Sequence, residues 1–338
     1  MDRSCRTEDK FRSSDETIGF TGMNIAVIDI GTNTTLLLVA EVSSPEEITS
    51  LVYEQRVPRL GKGVDANKNL HPESMLRVLS VLDGYKKIIA HHNVTATVVC
   101  ATSAVRDAMN RQQFTEMVRR ETGFVVEVLS GKDEASWTYR GAISGIPSVQ
   151  RATIVDIGGG STEISIGDRA SIANRVSLNI GSVRLTERFF KHDPPTHPEL
   201  EAAITCVEDE LAKAKDFDFA GSSLVGVAGT ATSLAMLDQG LREFSIQSIK
   251  NYRLKLDNVY ALFRTLRSMP SSQILRLSSV MQGRSDIIAA GVLILREIMA
   301  HFKFNEMIVS ERGVRYGLAI REWERRNGVM PARRAGGE

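Results

Sequence analysis

The chain has 338 residues, a mass of 37.2 kDa, 42% hydrophobic residues, a formal net charge of +1 and a pI near 7.8. That length accommodates two domains of ordinary size, and the near-neutral charge does not favour a duplex nucleic acid partner, so any anion site has to be local. The three cysteines, Cys5, Cys100 and Cys206, have no CxxC spacing, which excludes a disulfide framework and a thiolate zinc site and suits a reducing cytoplasm.

Residues 1–22 are polar and charged, with no apolar run fit for a signal peptide or a membrane span. They are expected to form a disordered extension, with Met23 an alternative start and no membrane partner. Apolar runs at 25–30 and 36–40 predict a hairpin, and 51–57 a further extended segment. A Gly-punctuated loop at 59–65 precedes an amphipathic helix over 72–91, where Met75, Leu79, Leu82 and Ile89 recur at helical spacing. A buried strand over 95–100, a helix around Phe114 and Met117, and a strand over 124–129 make this half α/β. Ser130 opens another helix, and the Gly- and Pro-containing stretch 145–150 marks the crossing into a second half. There a second hairpin is followed by helices over 183–190 and 198–214, a strand over 224–228, helical residues from 257 on, a strand over 307–310 and a last helix over 314–325. The expected division is domain I over 23–146 with helix 314–325 packing back on it, domain II over 147–313, and a disordered tail over 327–338.

The most informative motif is an acidic, Gly-rich turn written twice. One copy runs Asp29, Ile30, Gly31, Thr32, Asn33, Thr34, and the other Asp156, Ile157, Gly158, Gly159, Gly160, Ser161. Small residues let backbone N–H groups and hydroxyls approach an anion, while an adjacent aspartate repels bare phosphate unless a cation lies between them. The pair therefore points to a phosphate-chain and divalent-metal site built from both halves. Superposed, the turns set Thr34 on Ser161, Thr35 on Thr162 and Leu36 on Glu163, so the second copy carries an added carboxylate. A third loop, with Gly229 and Thr230, follows an apolar strand and opens a helix whose N-terminus attracts anions. Arg106 stands where a strand gives way to a helix, a place suited to a guanidinium fork on phosphate oxygens. Each feature also has an ordinary explanation as turn former, solvated first-turn side chain or, for Glu134, helix-dipole partner. The six histidines show no HExxH or other metal spacing, and no Walker lysine follows any loop.

Together the blocks 26–38, 60–65, 101–110, 130–140, 155–166, 179–189, 226–237, 283–295 and 309–318 resemble the exopolyphosphatase and guanosine pentaphosphate phosphohydrolase (Ppx/GppA) family, in its short form. The resemblance implies an α/β fold of two ribonuclease-H-like domains, of the actin, Hsp70 and sugar-kinase superfamily, with the active site in the interdomain cleft. It implies Mg²⁺ and release of terminal phosphate from inorganic polyphosphate or guanosine pentaphosphate. By position it makes Glu134 the catalytic glutamate, places Asp29, Asp156 and Glu163 at the metal, and gives phosphate contacts to Gly31, Thr32, Asn33, Thr34, Arg106, Gly158, Gly159, Gly160, Ser161, Thr162, Gly229 and Thr230. Two departures stand out: Leu36 occupies a position where many members have arginine, and Tyr316 one where an acid is common. The long members also carry a C-terminal helical HD-type domain for which the residues after 325 leave no room, so processive handling of very long polymers is not expected. Polyphosphate is expected ahead of guanosine pentaphosphate, because no aromatic or base-reading cluster is evident. A non-hydrolytic actin-like nucleotide sensor and a sugar or acid kinase are the competing classes. A cytoplasmic location is expected, and a homodimer is allowed.

Overall fold

The computed structural model describes residues 22–329. The first sheet comprises β1 (Met23–Ile30), β2 (Thr35–Val42), β3 (Ile48–Arg56), β4 (Ala96–Ala101) and β5 (Val126–Val128), in the order β3-β2-β1-β4-β5. The second comprises β6 (Arg151–Ile157), β7 (Thr162–Asp168), β8 (Ile172–Leu178), β9 (Ser223–Val227), β10 (Arg253–Lys255) and β11 (Glu306–Val309), in the order β10-β11-β9-β6-β7-β8. In each half an antiparallel meander supplies the first three strands. Parallel strands extend it through β4 and β5 in one case and through β9 and β11 in the other. The ribonuclease-H-like order is thus present twice, as expected, with β10 added at one edge. Neither β8 nor β10 is among the strands predicted from sequence: β8 carries the exposed polar pair Asn174 and Arg175, which breaks its apolar signal, and β10 has only three residues.

Helices cover both sheets through faces set by their periodicity. In the helix Pro72–Ala90 the buried side chains Met75, Val78, Leu82 and Tyr85 form one stripe, started by a proline in the first turn. That stripe joins the core that includes Ile28, Ile30, Leu37 and Val39. The helix His197–Leu211 opens with a capping box between Thr196 and Glu199.

Two helices join the halves. The helix Val314–Arg326 lays Leu318, Ala319, Ile320 and Trp323 against Ile25, Val27, Leu38 and Ala40 of the first sheet. The helix Gly131–Ser144 instead buries Tyr139, Ala142 and Ile143 against Ala152, Ile154, Val225 and Val227 of the second. Its packing therefore goes with the second sheet, although its residues fall within the unit 23–146 expected from sequence; the Gly- and Pro-containing stretch after it ends a helix without changing the sheet. The two helices cross backbone to backbone, since a Cβ at Gly317 would lie 1.9 Å from the Trp137 carbonyl oxygen and one at Gly141 2.1 Å from that of Gly313.

Residues 1–21 and 330–338, where disorder is expected, lie outside the described residues. Residues 327–329 do not: the Val329 N–H donates to the Glu324 carbonyl at 3.0 Å around a left-handed Gly328, so they cap the last helix.

Candidate active site

β1 and β6, central in their sheets, deliver the two acidic turns to the space between the halves. The turns are built alike. The Gly31 N–H donates to the Thr34 carbonyl at 2.9 Å and the Gly158 N–H to the Ser161 carbonyl at 3.0 Å. Asp29 lies opposite Leu36 across its hairpin, and Asp156 opposite Glu163, the correspondence obtained by superposing the motifs. The glycine run of the second turn answers a steric demand between the halves. A Cβ at Gly159 would stand 2.9 Å from Thr32 Cβ, and one at Gly160 2.6 Å from Ser103 Oγ. Thr32 and Ser103 share a hydrogen bond of 2.8 Å.

The third loop joins β9 to the helix Ala228–Asp238 through Ala228, whose φ of 62° is a left-handed conformation that non-glycine residues adopt at a cost. Its helix start directs backbone N–H groups at the cleft. The Thr230 hydroxyl donates to the Ile157 carbonyl at 3.1 Å, tying this loop to the end of β6.

An inner cavity of about 100 Å³ lies where the loops meet. Gly31, Thr32, Asn33 and Thr34 line it from the first turn, Gly158, Gly159 and Ser161 from the second, and Gly229 and Thr230 from the third, together with the carboxylates Asp29, Glu134 and Asp156. Arg106, Gly160, Thr162 and Glu163 do not line it. Thr162 corrects the sequence expectation: side chains alternate along β7, so its hydroxyl faces away from Glu163 and donates to the Ile180 carbonyl at 2.8 Å in the core. Gly160 presents its carbonyl to Arg184, at 2.6 Å. Arg106 donates to Glu134 Oε2 at 2.8 Å and to the Leu129 carbonyl at 3.1 Å, so it holds the carboxylate in place of a phosphate. Asn33 spans the cleft, donating to the Gly283 carbonyl at 3.0 Å.

Glu134 sits in the first turn of the helix Gly131–Ser144, whose N-cap Ser130 accepts the Asp133 N–H. It is buried, and loss of solvent raises its pKa well above the ordinary value, Glu163 adding to the rise and Arg106 opposing it. Burial lifts Asp156 to about 8, with Glu134 and Asp29 reinforcing the effect. Glu163 is pushed up to about 7, first by burial and then by Asp156, against hydrogen bonds from Ser177 and Ser161. Asp29 rises to about 6 through burial, drawn partly back by Arg315. Crowded carboxyl groups whose ionisation burial opposes form an oxygen-only donor set that a hard cation would relieve. Among the described residues no three His, Cys, Asp or Glu side chains gather into a ligand group, so Asp29, Asp156 and Glu163 do not form a three-carboxylate cage.

The Ppx/GppA phosphatase family model matches residues 38–326. The chain belongs to the Ppx/GppA phosphatase family. It is 33% identical over 312 residues to Exopolyphosphatase 2 of Mycobacterium tuberculosis, covering 88% of this chain and 97% of that one. The crystal structure of the Aquifex aeolicus Ppx/GppA family member superposes with a TM-score of 0.77 at 31% identity, over 91% of this chain and 99% of that one. A guanosine-5'-triphosphate,3'-diphosphate pyrophosphatase of Vibrio atlanticus is 29% identical over 301 residues, covering 87% of this chain and 58% of that one.

The Ppx/GppA cleft also contains residues that no local motif singled out. Arg284, 7% exposed, borders the inner cavity. It donates to the Gly229 carbonyl at 2.9 Å and to Ser233 Oγ at 3.0 Å, its Nε has no hydrogen-bond partner, and burial lowers its pKa. An outer chamber of about 820 Å³ shares Asp29, Asp156, Gly229 and Arg284 with the inner cavity. Across it Tyr53 and Phe244 stack with centroids 6.1 Å apart, and the Arg315 guanidinium lies 4.4 Å from the Tyr53 ring centre. Arg284 and Arg315 are the cations of its lining; Gln55, Gln247, Ser279 and Glu311 supply polar groups. The only sequence signal for Arg284 and Arg315 was their place inside the blocks 283–295 and 309–318.

Proposed function

We propose that the cleft is an exopolyphosphatase site, hydrolysing the terminal phosphoanhydride bond of inorganic polyphosphate by in-line attack of a water that Glu134 orients and deprotonates. The observation that carries this is Glu134 itself: a buried carboxylate, fixed by Arg106, lining a cavity where three glycine-containing loops converge. Such a reaction has little covalent chemistry for the protein to perform, so it depends on alignment and on neutralising the transferred group. N–H groups of residues 32–34, 159 and 161, and the helix start at Gly229 and Thr230, would cradle that group. Arg284, a desolvated guanidinium without a carboxylate partner, would meet its charge. A raised pKa suits Glu134 to accept a proton near neutral pH, where a carboxylate of ordinary acidity is a weak base.

Mg²⁺ fits the donor set. Asp29 or Asp156 would hold it, with Glu163 behind them, and substrate phosphate and water would complete the shell, as is usual for this ion. When bound, the ion supplies charge neutralisation on the phosphate oxygens. A cytoplasmic location belongs to the same proposal, supported by the free thiols Cys100 and Cys206. No helix among the described residues is long and apolar enough to cross a membrane.

A second reading, guanosine pentaphosphate as substrate, is favoured by the outer chamber. Arg284 borders both cavities, and the rings, amides and Glu311 carboxylate of the outer chamber suit an uncharged planar group better than further phosphates. Phosphate release measured side by side from polyphosphates of defined length and from guanosine pentaphosphate tests both. Polyphosphate as main substrate requires the larger kcat/KM on polyphosphate. Under the second reading Phe244→Ala lowers kcat/KM for the nucleotide by about tenfold, the order of one lost stacking contact, and leaves tripolyphosphate unchanged.

A further inference from the structure

Behind the two acidic turns, on the side away from the cleft, the halves meet through a polar cluster in which Arg184 is central. Its Nε donates to the Gly160 carbonyl at 2.6 Å, its Nη1 to Asp65 and its Nη2 to Asp107 at 2.5 Å. Gly160 belongs to the second turn, while Asp65 and Asp107 belong to the first half. The contact is tight, with about 10 Å³ of free space around it and the Arg184 side chain 11% exposed.

Both partners connect to the site through their neighbours. Asp107 follows Arg106, whose guanidinium grips Glu134. Asp65 ends the loop 59–65, where the Arg59 N–H donates to the Asn33 carbonyl at 3.1 Å and the Gly61 N–H to the Thr32 carbonyl at 2.8 Å. One guanidinium thus touches the second turn, the segment bound to the first turn, and the neighbour of the residue holding Glu134. A peptide unit is planar and trans, so fixing the Gly160 carbonyl toward Arg184 points the Ser161 N–H the opposite way. The Arg184 and Val183 N–H groups reinforce the anchor, donating to the Gly159 carbonyl at 3.0 and 2.9 Å.

We propose that Arg184 is a positioning residue for phosphoanhydride hydrolysis, locking residues 158–161 of one half to Asp65 and Asp107 of the other, so that the phosphate cradle and Glu134 are held at a single spacing. The proposal rests on the hydrolase reading above for its kinetic consequence, and on geometry alone for its structural one. Arg188, one turn further along the helix Ser182–Phe189, provides the contrast. It also pairs with Asp65, at 3.0 Å, yet it is 40% exposed and bonds to neither the turn nor Asp107.

The test compares wild type, Arg184→Met, Arg184→Lys, Asp107→Asn and Arg188→Ala in the full chain. It measures phosphate release from polyphosphate, melting temperature, and hydrogen–deuterium exchange at residues 158–161. Losing charge-assisted bonds predicts a fall in kcat/KM of roughly 10- to 100-fold for Arg184→Met, expressed at least partly in kcat, with faster exchange in the turn. Lysine keeps the charge but cannot hold three acceptors in a planar fork, so Arg184→Lys is expected to fail similarly. Arg188→Ala is expected to stay within about twofold, as surface ion pairs contribute little. Should Arg184→Met not fold, Arg184→Lys and Asp107→Asn carry the same comparison. Full rescue by lysine, or unchanged exchange in residues 158–161, overturns the proposal. If wild type releases no phosphate, the hydrolase reading fails, and the exchange data still decide whether Arg184 locks the turn.

Discussion

Replacing Glu134 with glutamine keeps the side chain's shape while removing its negative charge and its capacity to take a proton. General-base assistance contributes about a hundred- to ten-thousand-fold in rate. At about 1.36 kcal/mol per tenfold, Glu134→Gln should raise the barrier by roughly 2.7 to 5.4 kcal/mol. Effects on stability oppose one another, the amide relieving the burial of a charge while weakening the contact with Arg106. The amide ends repulsion from Glu163 and Asp29, and the 2.8 Å bond from Arg106 loses the charge on its acceptor while keeping that on its donor. Arg106 keeps the Leu129 carbonyl, so its guanidinium is not orphaned. The assay is phosphate release under saturating polyphosphate and Mg²⁺, paired with calorimetric titration of tripolyphosphate. The expected result is a loss of at least a hundredfold in kcat with binding within about threefold of wild type. A variant that retains kcat within tenfold, or that loses binding in proportion to rate, would refute Glu134 as the base.

The raised pKa values make stability depend on pH with a definite sign. Unfolded, these carboxyls ionise near 3.8 and 4.5, whereas folded Asp29, Glu163 and Asp156 keep their protons to about 6, 7 and 8. The folded state binds the extra protons, so their contribution is greatest below pH ~4 and is lost as pH rises through about 8. Melting scans in chelator from pH 5 to 8 should show a falling Tm that Asp156→Asn flattens, with Mg²⁺ stabilising more at pH 8 than at pH 5. Arg284→Gln should raise KM for polyphosphate roughly 10- to 100-fold, since a charged hydrogen-bond donor is worth about 1.5–3 kcal/mol, and steady-state kinetics with a folded variant checks it. Gly317→Ala should destabilise by about 1–3 kcal/mol or more in urea unfolding, because the new Cβ meets the Trp137 carbonyl oxygen at 1.9 Å with only backbone to yield.

What the sequence made legible is what depends on neighbours along the chain. Each acidic turn sits between two strands of its own hairpin, so both its shape and the opposition of Asp156 to Glu163 follow from local pattern. Glu134 is locally ambiguous, as a first-turn glutamate usually is, and its expected role came from the family pattern alone. The rest depends on contacts between distant segments. Tyr53 and Phe244 have no aromatic neighbours along the chain, so the pair they form across the outer chamber could not be read, and the inference that no aromatic cluster exists was a consequence of that. Arg284 stands out only through being buried without an acid paired to it, which the sequence does not reveal. Thr162 and Gly160 resemble phosphate ligands by composition; the alternation of β7 turns the Thr162 hydroxyl to the Ile180 carbonyl, and the Gly160 carbonyl accepts from Arg184.

The helix that completes the first sheet is the last element of the described chain. Val314–Arg326 covers Ile25, Val27, Leu38 and Ala40, strands synthesised some 280 residues earlier. During vectorial synthesis those strands emerge with one face uncovered, whereas the segments packed around the second sheet, from Gly131 to Val309, emerge in succession. The second half can therefore condense while the first still exposes apolar surface, and the cleft forms last, because it requires both. Catalytic competence is then a late event in the life of each molecule, and premature termination before residue 314 leaves an exposed apolar β-sheet face that favours aggregation.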